Sequence, residues 1–167
     1  MGIFRHRNEG GQRFVMREKL FSIGDDSWIE DDNGEKAFKV DGKALRARRT
    51  LILKDPSGNE VAHIQDRVVR VRGTMEIERD GKKLATVHKA LVGIRDRFEI
   101  DVEEGDDLHA KGNVLEHEYE VKKDHDVVAS VSKKWVRVRD TYGIEIAGGQ
   151  DVPLLLAITV AIDELAG

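Results

Sequence analysis

Cysteine is absent from all 167 residues. That excludes a disulfide framework, a thiolate nucleophile and any cysteine-bound zinc. A chain that folds without disulfides suits a reducing compartment, and the expectation is a cytoplasmic protein that meets membranes only at their surface. Proline is nearly absent too, with Pro56 in a turn and Pro153 at a helix start, both places where its missing N–H does no harm. Residues 1–11 carry no apolar stretch of the kind a secretory signal needs. His6 stands where a myristoylation signal carries Ser or Thr. The C-terminal apolar run is about ten residues, half of the roughly twenty that cross a bilayer. Charge of one sign is lacking as well: 28 Lys and Arg face 32 Asp and Glu, for a net charge of −4. Bulk attraction to nucleic acid is thereby excluded, while a local basic patch is not.

What the sequence does contain is a helix that is apolar on every side. Asp151-Val152-Pro153 opens the run Leu154-Leu155-Leu156-Ala157-Ile158-Thr159-Val160-Ala161-Ile162. A surface helix shows a polar stripe; one apolar all round belongs inside something. Asp151 is placed to cap its start. Asp163 and Glu164 oppose the helix dipole at its end, which predicts that this end emerges into solvent.

The rest of the chain reads as short strands joined by sharp turns. Asp32-Asn33-Gly34, Asp55-Pro56-Ser57-Gly58, Asp80-Gly81 and Asp124-His125-Asp126 are turn signals. Between them apolar and polar residues alternate, as in Met75-Glu76-Ile77-Glu78 and Arg97-Phe98-Glu99-Ile100, the pattern of strands with one face in a core. About twelve such runs predict a mainly β chain of antiparallel meanders. Twelve strands spaced ~4.8 Å apart and tilted ~40° close into a ring whose interior matches the ~10–12 Å diameter of a helix with side chains. The expected fold is a closed antiparallel barrel of about twelve strands around a central C-terminal helix. A two-layer sheet with the helix against one face is the alternative. Residues 1–12 read as a flexible N-terminal segment and 13–167 as a single barrel domain.

With these elements placed, the chain resembles the LURP-one-related family, within the Tubby C-terminal-like superfamily that includes phospholipid scramblases. The resemblance rests on the early hairpin from Trp28 to Lys43 and on Leu51-Ile52-Leu53-Lys54-Asp55-Pro56-Ser57-Gly58. It rests also on Asp140-Thr141-Tyr142-Gly143-Ile144-Glu145-Ile146, followed by Asp151-Val152-Pro153-Leu154. It implies a twelve-stranded barrel around a C-terminal helix. It implies no settled activity, and the cysteine-rich segment associated with scramblases is absent. Tubby relatives bind phosphoinositide headgroups through basic residues, a signature with no residue-by-residue match in this chain.

Motifs for chemistry are sparse. There is no phosphate-binding P-loop, no dinucleotide fingerprint and no nucleophile elbow. The six histidines are scattered without metal-ligand spacing. Asp101, Glu103, Glu104, Asp106 and Asp107 read as a solvated turn, since the calcium-loop pattern is incomplete. The sequence thus predicts no catalytic residues, no cofactor and no metal site. Its strongest candidate is basic: Lys133, Trp135, Arg137 and Arg139 alternate with Val136 and Val138. Read as a strand with its valines inward, they form an outward cationic and aromatic stripe that Arg70 and Arg72 would extend, with Arg46, Arg48 and Arg49 beyond. Indole and guanidinium together suit phosphate-bearing headgroups at a membrane surface, and less well single-stranded nucleic acid. The expected function is non-enzymatic binding or adaptor work, with anionic phospholipid headgroups as partner. A protein-interaction scaffold and a small-molecule binder or enzyme are the alternatives.

Overall fold

The computed structural model describes residues 11–17, 27–42, 49–67, 73–92 and 95–166, with backbone only at 91–92 and 95–96. The strands are β1 (Gln12–Arg17), β2 (Ser27–Asp31), β3 (Lys36–Gly42), β4 (Thr50–Lys54), β5 (Glu60–Asp66), β6 (Thr74–Arg79), β7 (Lys82–Val92), β8 (Arg95–Val102), β9 (Leu108–Asn113), β10 (Glu118–Lys123), β11 (Asp126–Ser132) and β12 (Thr141–Ile146). Among the described residues one helix, α1 (Val152–Ala166), follows. Gln12 already belongs to β1; residues 1–10, read as a flexible lead, lie outside the described residues.

Every strand pairs with the one before and after it, and β1 returns to β12 with Gln12 opposite Ile146 and Arg17 opposite Thr141. The barrel is therefore closed and leaves no free sheet edge. Tight turns make the antiparallel path possible. Asp80 and Gly81 both take positive φ, 54° and 77°, the requirement of a two-residue hairpin whose twist matches its strands. At Asp55 the carboxylate accepts the N–H groups of Ser57 and Asn59 at 3.0 and 2.9 Å. The backbone N–H of Asn59, followed by its side-chain amide, holds the Asp55 pKa below the ordinary carboxylate value.

A closed meander sorts its connections by parity. Those joining β1–β2, β3–β4 and so on to β11–β12 leave one end, the upper rim. Those joining β2–β3 through β10–β11, with the β12–α1 link, leave the lower rim. The helix enters from the lower rim and runs up the interior.

The inward residues follow the period of two: Phe14 and Met16 on β1, Leu51 and Leu53 on β4, Ile64 on β5, Met75 and Ile77 on β6, Phe98 and Ile100 on β8, Tyr142 and Ile144 on β12. All nine residues from Leu154 to Ile162 are buried. Each large aliphatic among them contributes about 1.5–3 kcal/mol from leaving water. The helix backbone runs closest to β5–β8, where Ala62 and Ala85 face inward and let it approach.

Both helix ends are fastened to the wall. At the start, the Asp151 carboxylate accepts the Leu154 N–H at 3.1 Å and takes a two-pronged contact from Arg79 at 3.0 Å on each oxygen. Burial alone would raise the Asp151 pKa. The Arg79 guanidinium and the Leu154 N–H outweigh it and hold the carboxyl below its usual range. At the far end the expectation of an open, solvated terminus is corrected: the Asp163 and Glu164 side chains are only 14% and 13% exposed. Glu164 pairs with Arg49 at 2.7 Å, and Arg49 also grips Asp66 at 2.8 Å. The adverse dipole at this end is offset by one cation borrowed from the barrel, Arg49. No helix among the described residues is long and apolar enough to cross a membrane.

Candidate functional site

Residues 133–140 form the β11–β12 connection on the upper rim, and the structure corrects their reading as a strand. Pairing between β11 and β12 ends at Ser132 opposite Gly143. Beyond it the backbone finds other partners. The Glu118 carboxylate accepts the Lys133 N–H at 3.0 Å and the Ser132 hydroxyl at 2.7 Å, and the Ser132 oxygen accepts the Lys134 N–H at 3.1 Å. The Val136 N–H donates to the Lys133 carbonyl at 3.3 Å, and the Thr141 hydroxyl to the Val138 carbonyl at 2.6 Å. Alternation along Val136-Arg137-Val138-Arg139 is real, but no strand among the described residues offers it a ladder.

Two consequences reverse the expected directions of the side chains. Trp135 is half-buried, folded back over β12: a Cβ at Gly143 would fall within its indole, against Cζ2, Cη2 and Cε2. Arg13 on β1 covers the ring, its guanidinium carbon 5.1 Å from the centroid, while its Nε bonds Glu145 at 3.0 Å. Trp135 thus seats the loop instead of standing free. Val138, expected to point inward, is 67% exposed, and Lys133, Lys134, Arg137 and Arg139 are exposed around it.

The arginines divide by partner. Arg13, Arg49, Arg67, Arg79 and Arg97 each meet a carboxylate. Among the described residues Arg17, Arg137 and Arg139 enter no ion pair. All three belong to the upper rim: Arg137 and Arg139 are in the β11–β12 loop, and Arg17 closes β1 opposite Thr141, the residue at which that loop ends. The expected extension through Arg70 and Arg72, and through Arg46 and Arg48, falls on residues outside those described. Arg49 is committed to Asp66 and Glu164, and these contacts, the Asp66 hydrogen bond foremost, raise its pKa.

The lower rim is the electrostatic opposite. Its connections carry Asp32, Glu35, Asp55, Asp80, Asp124 and the group from Glu103 to Asp107, with no Lys or Arg among them. Of the bases bordering it, Arg79 pairs with Asp151, Lys82 with Glu104, Lys83 with Glu103 and Lys123 with Asp106, while Lys36 lies over an aromatic ring. A shallow groove of about 700 Å³ opens there between β1 and the β2–β3 turn, edged by Asp31, Asp32 and Glu145. A chain of modest net charge is therefore polarised along its barrel axis.

Two further groupings were not legible in the sequence. Trp28 on β2 lies under Lys36 and Lys39, whose ammonium nitrogens are 4.8 and 5.9 Å from the ring centroid; only the β2–β3 register brings them together. His117, in the β9–β10 turn, bonds Asp163 at 2.8 Å and stacks on Tyr142 at 4.2 Å. A His–Asp pair can serve as a base, but here it ties the end of α1 to the barrel. Burial first, and Asp163 second, raise the nearby Tyr119 hydroxyl pKa well above its ordinary value.

Twelve antiparallel strands closed around their own C-terminal helix define a filled-barrel class of fold. A protein of Arabidopsis thaliana with a solved X-ray structure is similar across 98% of this chain and 96% of its own, with a TM-score of 0.71 at 17% identity. The family model described as LURP-one-related matches residues 12–163, and the chain belongs to that family. The uncharacterized protein YxjI of Bacillus subtilis (strain 168) is 29% identical over 85 residues, covering 51% of this chain and 52% of its own length. The chain thus spans about half the length of that curated relative.

Proposed function

We propose that this protein is a non-enzymatic binding module whose upper rim takes the phosphate groups of anionic lipid headgroups. One observation supports the reading: the three arginines that enter no ion pair among the described residues, Arg17, Arg137 and Arg139, lie on one rim of a barrel whose other rim is acidic. Guanidinium matches phosphate geometry with parallel N–H bonds, so an uncommitted cluster of them is suited to that chemistry. Each cation near an anionic surface contributes about 1 kcal/mol. Arg17, Lys134, Arg137 and Arg139 together give roughly 4 kcal/mol, which makes the association weak, reversible and salt-sensitive.

Co-sedimentation with vesicles of phosphatidylserine and phosphatidylcholine tests this. Binding should rise with the anionic fraction, fall steeply with salt, and drop at least tenfold in an Arg137→Glu/Arg139→Glu variant. Equal, salt-insensitive binding by both proteins would refute the reading.

A further inference from the structure

Among the described residues, two large apolar side chains stand well out in water: Val138 at 67% and Leu115 at 63%. Scattered singly, such residues need no explanation. These two sit on neighbouring connections of the same rim, β9–β10 and β11–β12, about two strand spacings or ~10 Å apart. Their relation is fixed. Glu118, one residue beyond the β9–β10 turn, holds both Ser132 and the Lys133 N–H, and Thr141 holds the Val138 carbonyl. The backbone beneath Val138 is thus anchored while its side chain projects, with the exposed Arg137 and Arg139 on either side.

An isolated phosphate or a soluble headgroup has no use for an exposed valine between two arginines. A bilayer has use for both: the cations meet phosphates at the level where the aliphatic side chain passes beneath them. The acidic lower rim is repelled by the same surface, which sets the orientation.

We infer that the barrel docks end-on to an anionic bilayer, with Val138 inserted below the phosphate plane, Leu115 entering beside it, and the acidic rim turned away. This rests on the proposed headgroup reading and adds the bilayer itself as partner.

The absence of cysteine allows a clean test. Val138→Cys and Leu115→Cys, each carrying an environment-sensitive fluorophore, are compared with Ser57→Cys in the β4–β5 turn of the lower rim. On phosphatidylserine vesicles the probe at 138 should brighten several-fold, the probe at 115 less, and brominated acyl chains should quench both. The probe at 57 should not respond. Soluble inositol hexakisphosphate, which offers phosphates without acyl chains, should leave all three unchanged. In the unlabelled protein, Val138→Ser should weaken vesicle binding several-fold without altering its salt dependence. If the protein sediments with anionic vesicles in an Arg137- and Arg139-dependent way while the 138 probe stays in water, end-on insertion is overturned and headgroup binding survives, with Val138 left for a protein partner. If wild type fails to sediment with the vesicles, both are overturned. A response at 57 equal to that at 138 would overturn the orientation.

Discussion

At residue 143 the absence of a side chain is a contact. Trp135 occupies the place a Cβ would fill, so Gly143 is what lets the β11–β12 loop lie down on β12. Replacing it with Val forces the indole off the barrel. Overpacking of this kind costs about 1–3 kcal/mol. In a Trp28→Phe background, Gly143→Val should lower the melting temperature and shift Trp135 emission to the red; unchanged emission would mean the ring does not depend on that space. Trp135 also shows where sequence reading stops at this scale. Its neighbours Arg137 and Arg139 were legible as a cationic pattern, but a period of two carries no information about whether a neighbouring strand is present to bond it. Seating Trp135 on Gly143 needs the register of β12, and recognising Arg17 as part of the same cluster needs the pairing of β1 with β12. The first contact spans eight positions and the second more than a hundred, and local pattern records neither.

The helix is the element most legible in advance, because a run apolar on every side has only one kind of place to go. Its fastenings were half legible. The cap at Asp151 could be read from Asp-x-Pro, whereas the Arg79 clamp could not, since Arg79 reaches Asp151 only once β6 is placed against the helix start. Loss of an N-cap costs about 0.5–2 kcal/mol, and Asp151→Ala should destabilise the protein by that order at neutral pH in urea unfolding. The pH dependence has a definite sign. The Asp151 pKa is depressed in the folded state, so its contribution is full above the ordinary carboxylate value near 4 and disappears as pH falls through the folded value. The gap between wild type and Asp151→Ala should accordingly be constant near neutrality and narrow below about pH 4. A gap that widens in acid would contradict the clamp.

For the molecule as a whole, parity of connections matters more than any single motif. Acidic turns and basic runs were both visible in the sequence, but as a list. An antiparallel meander sends alternate connections to opposite ends, and this sorting turns a mixed sequence into a barrel with one acidic and one cationic rim. The fold itself was legible because its strands, turns and helix agree with one another at every level. The polarity was not, because it exists only after closure. Reversing it should reverse the behaviour: Arg17→Glu added to Arg137→Glu/Arg139→Glu should abolish binding to anionic vesicles while leaving the melting temperature within a few degrees, since exposed charges outside ion pairs contribute little to stability.

Everything outside the barrel wall depends on the interior being filled by α1, and native-state hydrogen exchange measures that directly. Amides from Leu155 to Ile162 should exchange as slowly as the central strand residues Ile64, Ile77 and Ile100, with the same free energy and the same denaturant dependence, because they open only when the barrel does. Fast exchange across that segment with the strands still protected would show a barrel that stands without its helix, and would contradict the account.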